Sequence, residues 1–488
     1  MIAQDQKSTP KKTVQTEVRP DVPLPSAASS DEVAPRIALM TPYTGGNLGD
    51  AAIQDAMIAN LRLRMPGSQF LGITLNCVNF LEKHGGEAFP LLATPTRLTH
   101  AQRTSSNKFT GTVPLATEDD RTSWKGWRNG IRRMLRAVPG VVPFLRRVLA
   151  RMATIQSEIR HSYESYRVLR SQDLLVVSGG GQLDEEWGGA WRLPFAMCKW
   201  VLLSRMAGVP CAVVSVGAGK ITSTASRRLF SVALRLCCYR SYRETKTRAI
   251  AARLLPRATS DPVVPDLAFG LQESELPSPD GDIRRMAHGR PVIAISPIAY
   301  GKPGNWPTPD SALHDRYVQQ MAQLLSLLSR QGYYLVVVCS SLGDDEEVIP
   351  GMLGRLDDEM KLGLESRIHF PPIKAWKEVI AVLRDVDYLV ASRLHGTILG
   401  FVSQTPVVAI SFDPKVDWVM EDLQQTDCLL QIRHFTAEQV VSAVDRMKIR
   451  RDAIVKEIVS YRQSILSATA QQYDSLARLA LAHHQSHN

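Results

Sequence analysis

A short apolar run, a glycine-rich turn and a helical stretch recur along this chain, and that repeat constrains the fold more than any other feature. RIALMT (36–41) leads into PYTGGNLGD and then the helical AAIQDAMIANLRLR, for which Asp50 is the expected N-cap. DLLVVSGGGQL (173–183) repeats the strand and its glycines, and CAVVSVGAGK (211–220) adds a helix through 226–238. PVIAISP, YYLVVVCSS, DYLVAS and PVVAISF follow at spacings that leave room for helices between them. Apolar strands alternating with helices imply an α/β fold whose parallel sheets are covered on both faces. The pattern weakens at LQESELPSPDGDIRRMAHGRP, where Pro, Gly and charge dominate, so residues 271–290 are expected to link two α/β domains at 35–270 and 291–488. The second domain should end in one or two long helices from about Thr436 to His484, and residues 1–34 read as a disordered tail.

Composition excludes several classes. With 44% hydrophobic and 22% charged residues, the chain is not mainly disordered, collagenous or a disulfide framework. The seven cysteines are odd in number and form no C-x-x-C pair, as expected of a reduced cytosolic chain. No strongly apolar stretch reaches about 18 residues, and the N-terminus lacks a signal peptide's hydrophobic core. No Cys/His set has the spacing of a metal site, so no obligatory structural metal is expected, and a divalent ion that helps the phosphate is left open.

The formal charge of +10 is concentrated. Residues 121–160 hold ten basic side chains and one acid, a net +9, which leaves the rest of the chain near neutral. That distribution argues against a nucleic-acid partner. The basic stretch lies in an insertion spanning roughly 97–165. Trp124, Trp127, Ile131, Met134, Leu135 and Val138 follow helical spacing, as do Leu145, Val148, Leu149, Met152, Ile155 and Ile159 after Pro139, Gly140 and Pro143. Such helices suit an anionic membrane surface. The competing reading packs both stripes on the first domain or uses them in self-association.

Ligands of open α/β sheets bind beyond the carboxyl ends of the strands. The turns at 45–49, 179–181 and 217–219 all occupy such ends, either to let backbone approach a ligand or simply to close tight turns. DYLVASRLHGTILGF (387–401) places Arg393 and His395 at a helix start, where the dipole disfavours a cation unless an anion is bound. The alternative is that Arg393 pairs with a carboxylate and His395 with a carbonyl.

The set GGNLGDAAI (45–53), SGGGQL (178–183), SVGAG (215–219), SYRETKT (241–247), VPDLAF (264–269), SRLHG (392–396) and AISFDPKVDW (409–418) resembles the polysaccharide pyruvyl transferase family over roughly residues 36–435, apart from the basic insertion. The resemblance implies two Rossmann-like domains of glycosyltransferase-B type with the active site in the cleft between them. It implies transfer of the enolpyruvyl group of phosphoenolpyruvate onto two hydroxyls of a glycan or lipid-linked sugar, as a pyruvate ketal, in exopolysaccharide or cell-surface polysaccharide biosynthesis. Phosphoenolpyruvate is then a co-substrate, with no further cofactor.

That chemistry needs arginines for a carboxylate and a phosphate, and a general acid for the methylene carbon. By resemblance His395 is the catalytic acid, and Arg393, with Leu394 beside it, binds phosphoenolpyruvate. Arg243 takes the carboxylate or phosphate. The family pattern there often reads Arg-Asp-x-x-Ser, whereas this chain has Glu244 and Thr247, whose roles are open. Lys415 is offered as a phosphate contact and Asp266 as a base toward a sugar hydroxyl. Gly46, Asn47, Gly49, Asp50, Gly180, Gly181, Gly217 and Gly219 complete the expected binding set, although Asp50 is also explained by helix capping alone. The expected location is cytoplasmic, at the inner face of the membrane if the insertion binds lipid. The alternatives are a nucleotide-sugar glycosyltransferase, which shares the architecture, and a non-catalytic membrane-associated scaffold, against which Arg243, Arg393 and His395 speak.

Overall fold

The computed structural model describes residues 34–93 and 141–487 apart from Trp187, Asp280, Asn305 and Pro307, with the backbone alone for 141–150. The N-terminal tail and the Trp124–Val138 stripe lie outside the described residues.

Two parallel sheets form. The first holds β1 (Arg36–Thr41), β2 (Gln69–Thr74), β3 (Glu87–Pro90), β4 (Leu174–Val177), β5 (Gly180–Leu183), β6 (Cys211–Ala218) and β7 (Tyr239–Tyr242). Its order is β3-β2-β1-β4-β6-β5, with β7 also against β6. The second holds β8 (Val292–Ser296), β9 (Tyr334–Val337), β10 (Ile368–His369), β11 (Tyr388–Ala391), β12 (Val407–Ser411) and β13 (Leu429–Gln431), in the order β10-β9-β8-β11-β12-β13. LLVV, VIAIS, YLVA and VVAIS are buried at every position, which is why these runs show no polar alternation.

Each order reverses once, between β1 and β4 in the first sheet and between β8 and β11 in the second. A reversal sends the two flanking crossovers to opposite faces and opens a crevice at the strands' carboxyl ends. The loops after β1 and β4, and likewise those after β8 and β11, are therefore neighbours by topology alone, and they carry Asn47 and the 179–181 glycines in the first sheet and Tyr300 and Arg393 with His395 in the second.

The core on one face of the first sheet, with Ile37, Leu39, Val176 and Val214, continues through helix Leu48–Arg64 and Leu267–Phe269 into the core of the second sheet. The other face is a separate core under helices Leu193–Met206 and Thr224–Leu236. The long C-terminal stretch forms two helices, Ala437–Ile449 and Arg451–His487. The second returns to the first sheet, where Asp474 meets Arg64 and His484 Nδ1 lies 2.9 Å from Asp173.

Helix Val141–Leu169 packs through His161, Ser165 and Leu169, and Glu158 pairs with Lys199. Met152, Ile155 and Ile159 stay 62%, 59% and 66% exposed. No described helix is long and apolar enough to cross a membrane.

Gln472 fixes the last helix against β6 and β7. Its amide nitrogen donates to Ser215 Oγ at 3.1 Å, its carbonyl accepts from Ser241 Oγ, and Ser241 Oγ accepts from the Ser215 amide at 2.7 Å. All three residues are buried, so truncating the amide leaves Ser215 Oγ without its donor and the Ser241 hydroxyl proton without its acceptor. Gln472→Ala should lower unfolding free energy by about 1–3 kcal/mol, read by denaturant titration.

Candidate active site

The site begins with the first turn of helix Leu48–Arg64. Asp50 is not its N-cap. Asn47 is, because its side-chain carbonyl accepts the amides of Gly49 (3.1 Å) and Asp50 (3.5 Å). Asn and Asp are equally good caps, and the chain turns helical one residue after Asn47. Asp50 falls in the first turn instead, where its Oδ2 accepts from Asn47 Nδ2 at 2.9 Å.

His395 reaches this turn from the other half of the molecule, with Nδ1 3.1 Å from Asn47 Oδ1. That oxygen already accepts two backbone amides, so it can only accept from His395 as well. The network therefore puts the imidazole proton on Nδ1 and leaves Nε2 as the working nitrogen. Nε2 is buried without a hydrogen-bond partner and lies 3.9 Å from Asp50 Oδ1. Burial pushes the Asp50 carboxyl up, opposed chiefly by His395. Gly49 is required by this packing, since a Cβ there would lie 1.9 Å from His395 Cγ.

Arg393 sits at the N-cap of helix Leu394–Val402, where a lone cation is unfavourable. Asp345, fully buried, answers it with carboxylate oxygens 2.6 and 2.8 Å from Arg393 Nε. Burial pushes Asp345 up to about 6 against the pull of that guanidinium. The ion pair uses only Nε, and Arg393 lines the cavity in front of His395. The expected carboxylate partner exists, yet it occupies only one edge of the fork.

Arg243 follows β7 directly. It pairs with Glu244 through Nε and with Asp266 through Nη1 at 3.2 Å, while Nη2 is buried without a partner. Thr247 donates to Glu244 Oε2 at 2.6 Å and accepts the Ala218 amide at 3.1 Å. Glu244 and Thr247 thus hold the arginine, which gives the departure from the family pattern a role. The Arg243 guanidinium lies across Gly217, where a Cβ would be 2.6 Å from Nη2.

One cavity of about 800 Å³ joins these groups. Gly46, Asn47, Asp50, Gly180, Gly181, Arg243, Arg393, Leu394, His395 and Lys415 line it. Gly49 and Gly217 stand behind His395 and Arg243 instead, and Gly219 borders a smaller neighbouring cavity. Asp266 is 2% exposed and bonded to Arg243 and the Ala268 amide, so it stays behind the wall. Lys415 Nζ lies 3.6 Å from Asp413 and 3.8 Å from Asp184. Sequence reasoning missed Asp345, Asp184 and Asp413. Asp345 follows a strand end, as Arg393 does, but it belongs to an acidic run in which no pattern marks the inward residue.

The two halves are stitched together beside this cavity. The Leu48 amide donates to Ser340 O at 3.0 Å, and the Leu342 amide to Gly46 O at 2.9 Å.

Solved structures share this architecture at low identity. UDP-GlcNAc 2-epimerase from Neisseria meningitidis, bound to UDP-GlcNAc, is 10% identical over 91% of this chain and 100% of its own, with TM-score 0.51. HepE from Anabaena, in complex with UDP, is 12% identical over 92% and 99%, with TM-score 0.50. These likenesses show the fold, two parallel α/β halves of glycosyltransferase-B type. No curated protein matches the chain. The model of one family, polysaccharide pyruvyl transferase, matches residues 47–414, and with three quarters of its length inside that match the chain belongs to the polysaccharide pyruvyl transferase family.

Proposed function

We propose that this chain transfers the enolpyruvyl group of phosphoenolpyruvate onto two hydroxyls of a glycan or lipid-linked sugar, forming a pyruvate ketal for a surface polysaccharide. The observation that carries the reading is the convergence of Arg243, Arg393 and His395 on one cavity, each incompletely satisfied: Arg243 Nη2 and His395 Nε2 have no hydrogen-bond partner, and Arg393 is paired through Nε alone. Two arginines match the carboxylate and phosphate of phosphoenolpyruvate. The imidazole is the proton donor of the set.

In this reading protonated His395 Nε2 gives its proton to the methylene carbon, which becomes the methyl group. The cationic C2 accepts the first sugar hydroxyl. Phosphate leaves with the C–O bond pair, and the second hydroxyl closes the ketal. Of the two hydroxyl protons, one restores His395 and the other leaves on phosphate. Asp50 stabilises the imidazolium between turns of this cycle, and Asn47 holds the ring. Asp266, offered by the sequence as a base, positions Arg243 instead.

Phosphate release and acceptor mass test the reading together. Wild-type protein should release phosphate from phosphoenolpyruvate only with acceptor, and the acceptor should gain a ketal's mass. A hexose gain with UDP release would replace this function with glycosyl transfer. His395→Ala should lower kcat by roughly 100- to 10,000-fold with the circular dichroism spectrum unchanged. Gly49→Ala, which displaces the ring, should show the same loss while His395 is still present. Arg243→Lys and Arg393→Lys should each lower kcat/KM for phosphoenolpyruvate by about 10- to 150-fold, the value of one or two charged hydrogen bonds.

The acceptor meets the enzyme at an anionic membrane surface. The support is the exposed stripe of Met152, Ile155 and Ile159 beside exposed Arg151 and Arg160, in the region that holds nearly all the excess positive charge. The full chain should float with phosphatidylglycerol-containing vesicles and not with phosphatidylcholine alone. Replacing the three apolar residues by Ser should abolish flotation, and unchanged flotation would refute the contact.

A further inference from the structure

A smaller cavity of about 320 Å³ adjoins the arginine-lined one and shares Trp306, Phe412, Asp184, Asp413 and Lys415 with it. We propose that this smaller cavity is the acceptor subsite, which seats one pyranose ring of the glycan against an aromatic wall and reads its hydroxyls with Asp184, Asp413 and Lys415. The assignment rests on the larger cavity being the phosphoenolpyruvate site.

The wall is a packed aromatic cluster. Ring centroids lie 5.0 Å apart for Tyr300 and Trp306, 5.5 Å for Trp306 and Phe412, and 5.3 Å for Tyr300 and Phe412. Trp418 stands across the same cavity, with the Lys246 ammonium 5.5 Å from its ring centroid. All four rings are only half-buried. Large aromatic surfaces left facing a concave space, rather than packed into a core, mark a place for a ligand with an apolar face. A pyranose offers such a face in its axial C–H bonds, with polar hydroxyls around its rim.

The polar side has hydrogen-bonding capacity to spare. Lys415 lies between Asp184 and Asp413, beyond hydrogen-bond distance of either, so its ammonium protons and their oxygens can still serve a guest. Asp184 is held in place because its Oδ1 accepts the Glu186 amide at 2.8 Å. Gly219 keeps room for it, since a Cβ there would fall 1.9 Å from Asp184 Oδ2. Burial also pushes the Asp184 carboxyl up.

Arg243 and Arg393 line the larger cavity alone, whereas Asp184, Glu186, Asp413 and Lys415 stand on the boundary that the two cavities share, so the smaller space is flanked by hydroxyl-accepting carboxylates and holds no arginine among the described residues. Its volume lies at the low end of small-ligand sites, about 300–1,000 Å³, which suits one sugar unit rather than a nucleotide. The two are also in register. A methyl on Gly180 would lie 3.5 Å from Asp50 Oδ1, and one on the adjacent Gly181 3.6 Å from Lys415 Nζ. The polar edge of the sugar subsite is thus one backbone step from the carboxylate that faces His395.

Saturation-transfer NMR with the full chain tests this directly. Methyl glycosides of β-galactopyranose, β-glucopyranose and β-mannopyranose serve as probes, each with and without phosphoenolpyruvate. At least one should receive saturation from wild-type protein, strongest at its C–H face. Trp306→Ala and Trp418→Ala should each weaken that sugar at least 10-fold, and because Trp418 lines the smaller cavity alone, phosphoenolpyruvate affinity in Trp418→Ala, followed in the same samples, should stay within 2-fold. Trp306→Phe, which keeps a flat ring, should restore most of the binding and exclude misfolding as the cause. Where turnover is measurable, Trp418→Ala should raise acceptor KM and leave the phosphoenolpyruvate KM unchanged. Sugar binding that depends on Trp306 without ketal formation would keep the subsite and discard the pyruvyl-transfer reading. Sugar binding indifferent to both substitutions, or no saturation of any glycoside, would overturn the subsite.

Discussion

The Asn47 side chain is the interaction on which the rest of the site depends. Its carbonyl caps the helix that follows β1, its amide holds Asp50, and the same carbonyl accepts a hydrogen bond from His395 Nδ1 on the other half of the chain. One side chain therefore fixes a helix start, an imidazole tautomer and the spacing of a histidine and a carboxylate. The neighbouring backbone bonds from Leu48 and Leu342 make the crossing rigid. A loop placed by one sheet and a helix start placed by another would otherwise meet with the slack of two independent bodies. Catalytic geometry tolerates little of that.

The arginines show how buried charge is kept usable. Desolvating a guanidinium is costly unless it is paired, and a fully paired guanidinium has nothing left for a ligand. Asp345 takes only the Nε edge of Arg393, while Glu244 and Asp266 take two nitrogens of Arg243 and leave the third. Each arginine is stabilised enough to remain in the cavity wall and incompletely enough to favour an anion there. Burial, nearly complete at Arg243 and Asp345, also strengthens what such pairs do to a bound anion.

Much of this was legible in the chain. Apolar runs without alternation announced parallel sheets, and residues placed after such runs were bound to gather at strand ends, as Arg243, Arg393 and His395 do. The finer choices were harder. Asn47 and Asp50 are both good caps, although an acid three residues after an Asn is itself the signature of a cap at the Asn. Asp345 could not be chosen from Asp344, Asp345, Glu346 and Glu347, because the inward residue depends on how a short 3-10 turn, Asp345–Val348, meets the second sheet. The stripe on helix Val141–Leu169 was visible as periodicity. Periodicity says that a face is apolar and not what covers it, and the helix packs through His161 and Ser165 while Met152, Ile155 and Ile159 face outward.

On the sequence alone, the turn glycines serve either a close backbone approach to a ligand or a tight turn. Two of them are places where backbone yields to a side chain, His395 over Gly49 and Arg243 over Gly217. Each glycine is thus coupled to a residue far away in sequence, and the two behave as one unit under substitution. Adding a methyl group at Gly49 is harmful only while the imidazole is there to be displaced, and a chain without the histidine is free to lose the glycine as well. The glycine in the turn after β1 is thus a tracer for the histidine on the opposite half: a larger residue there requires that the imidazole move or go.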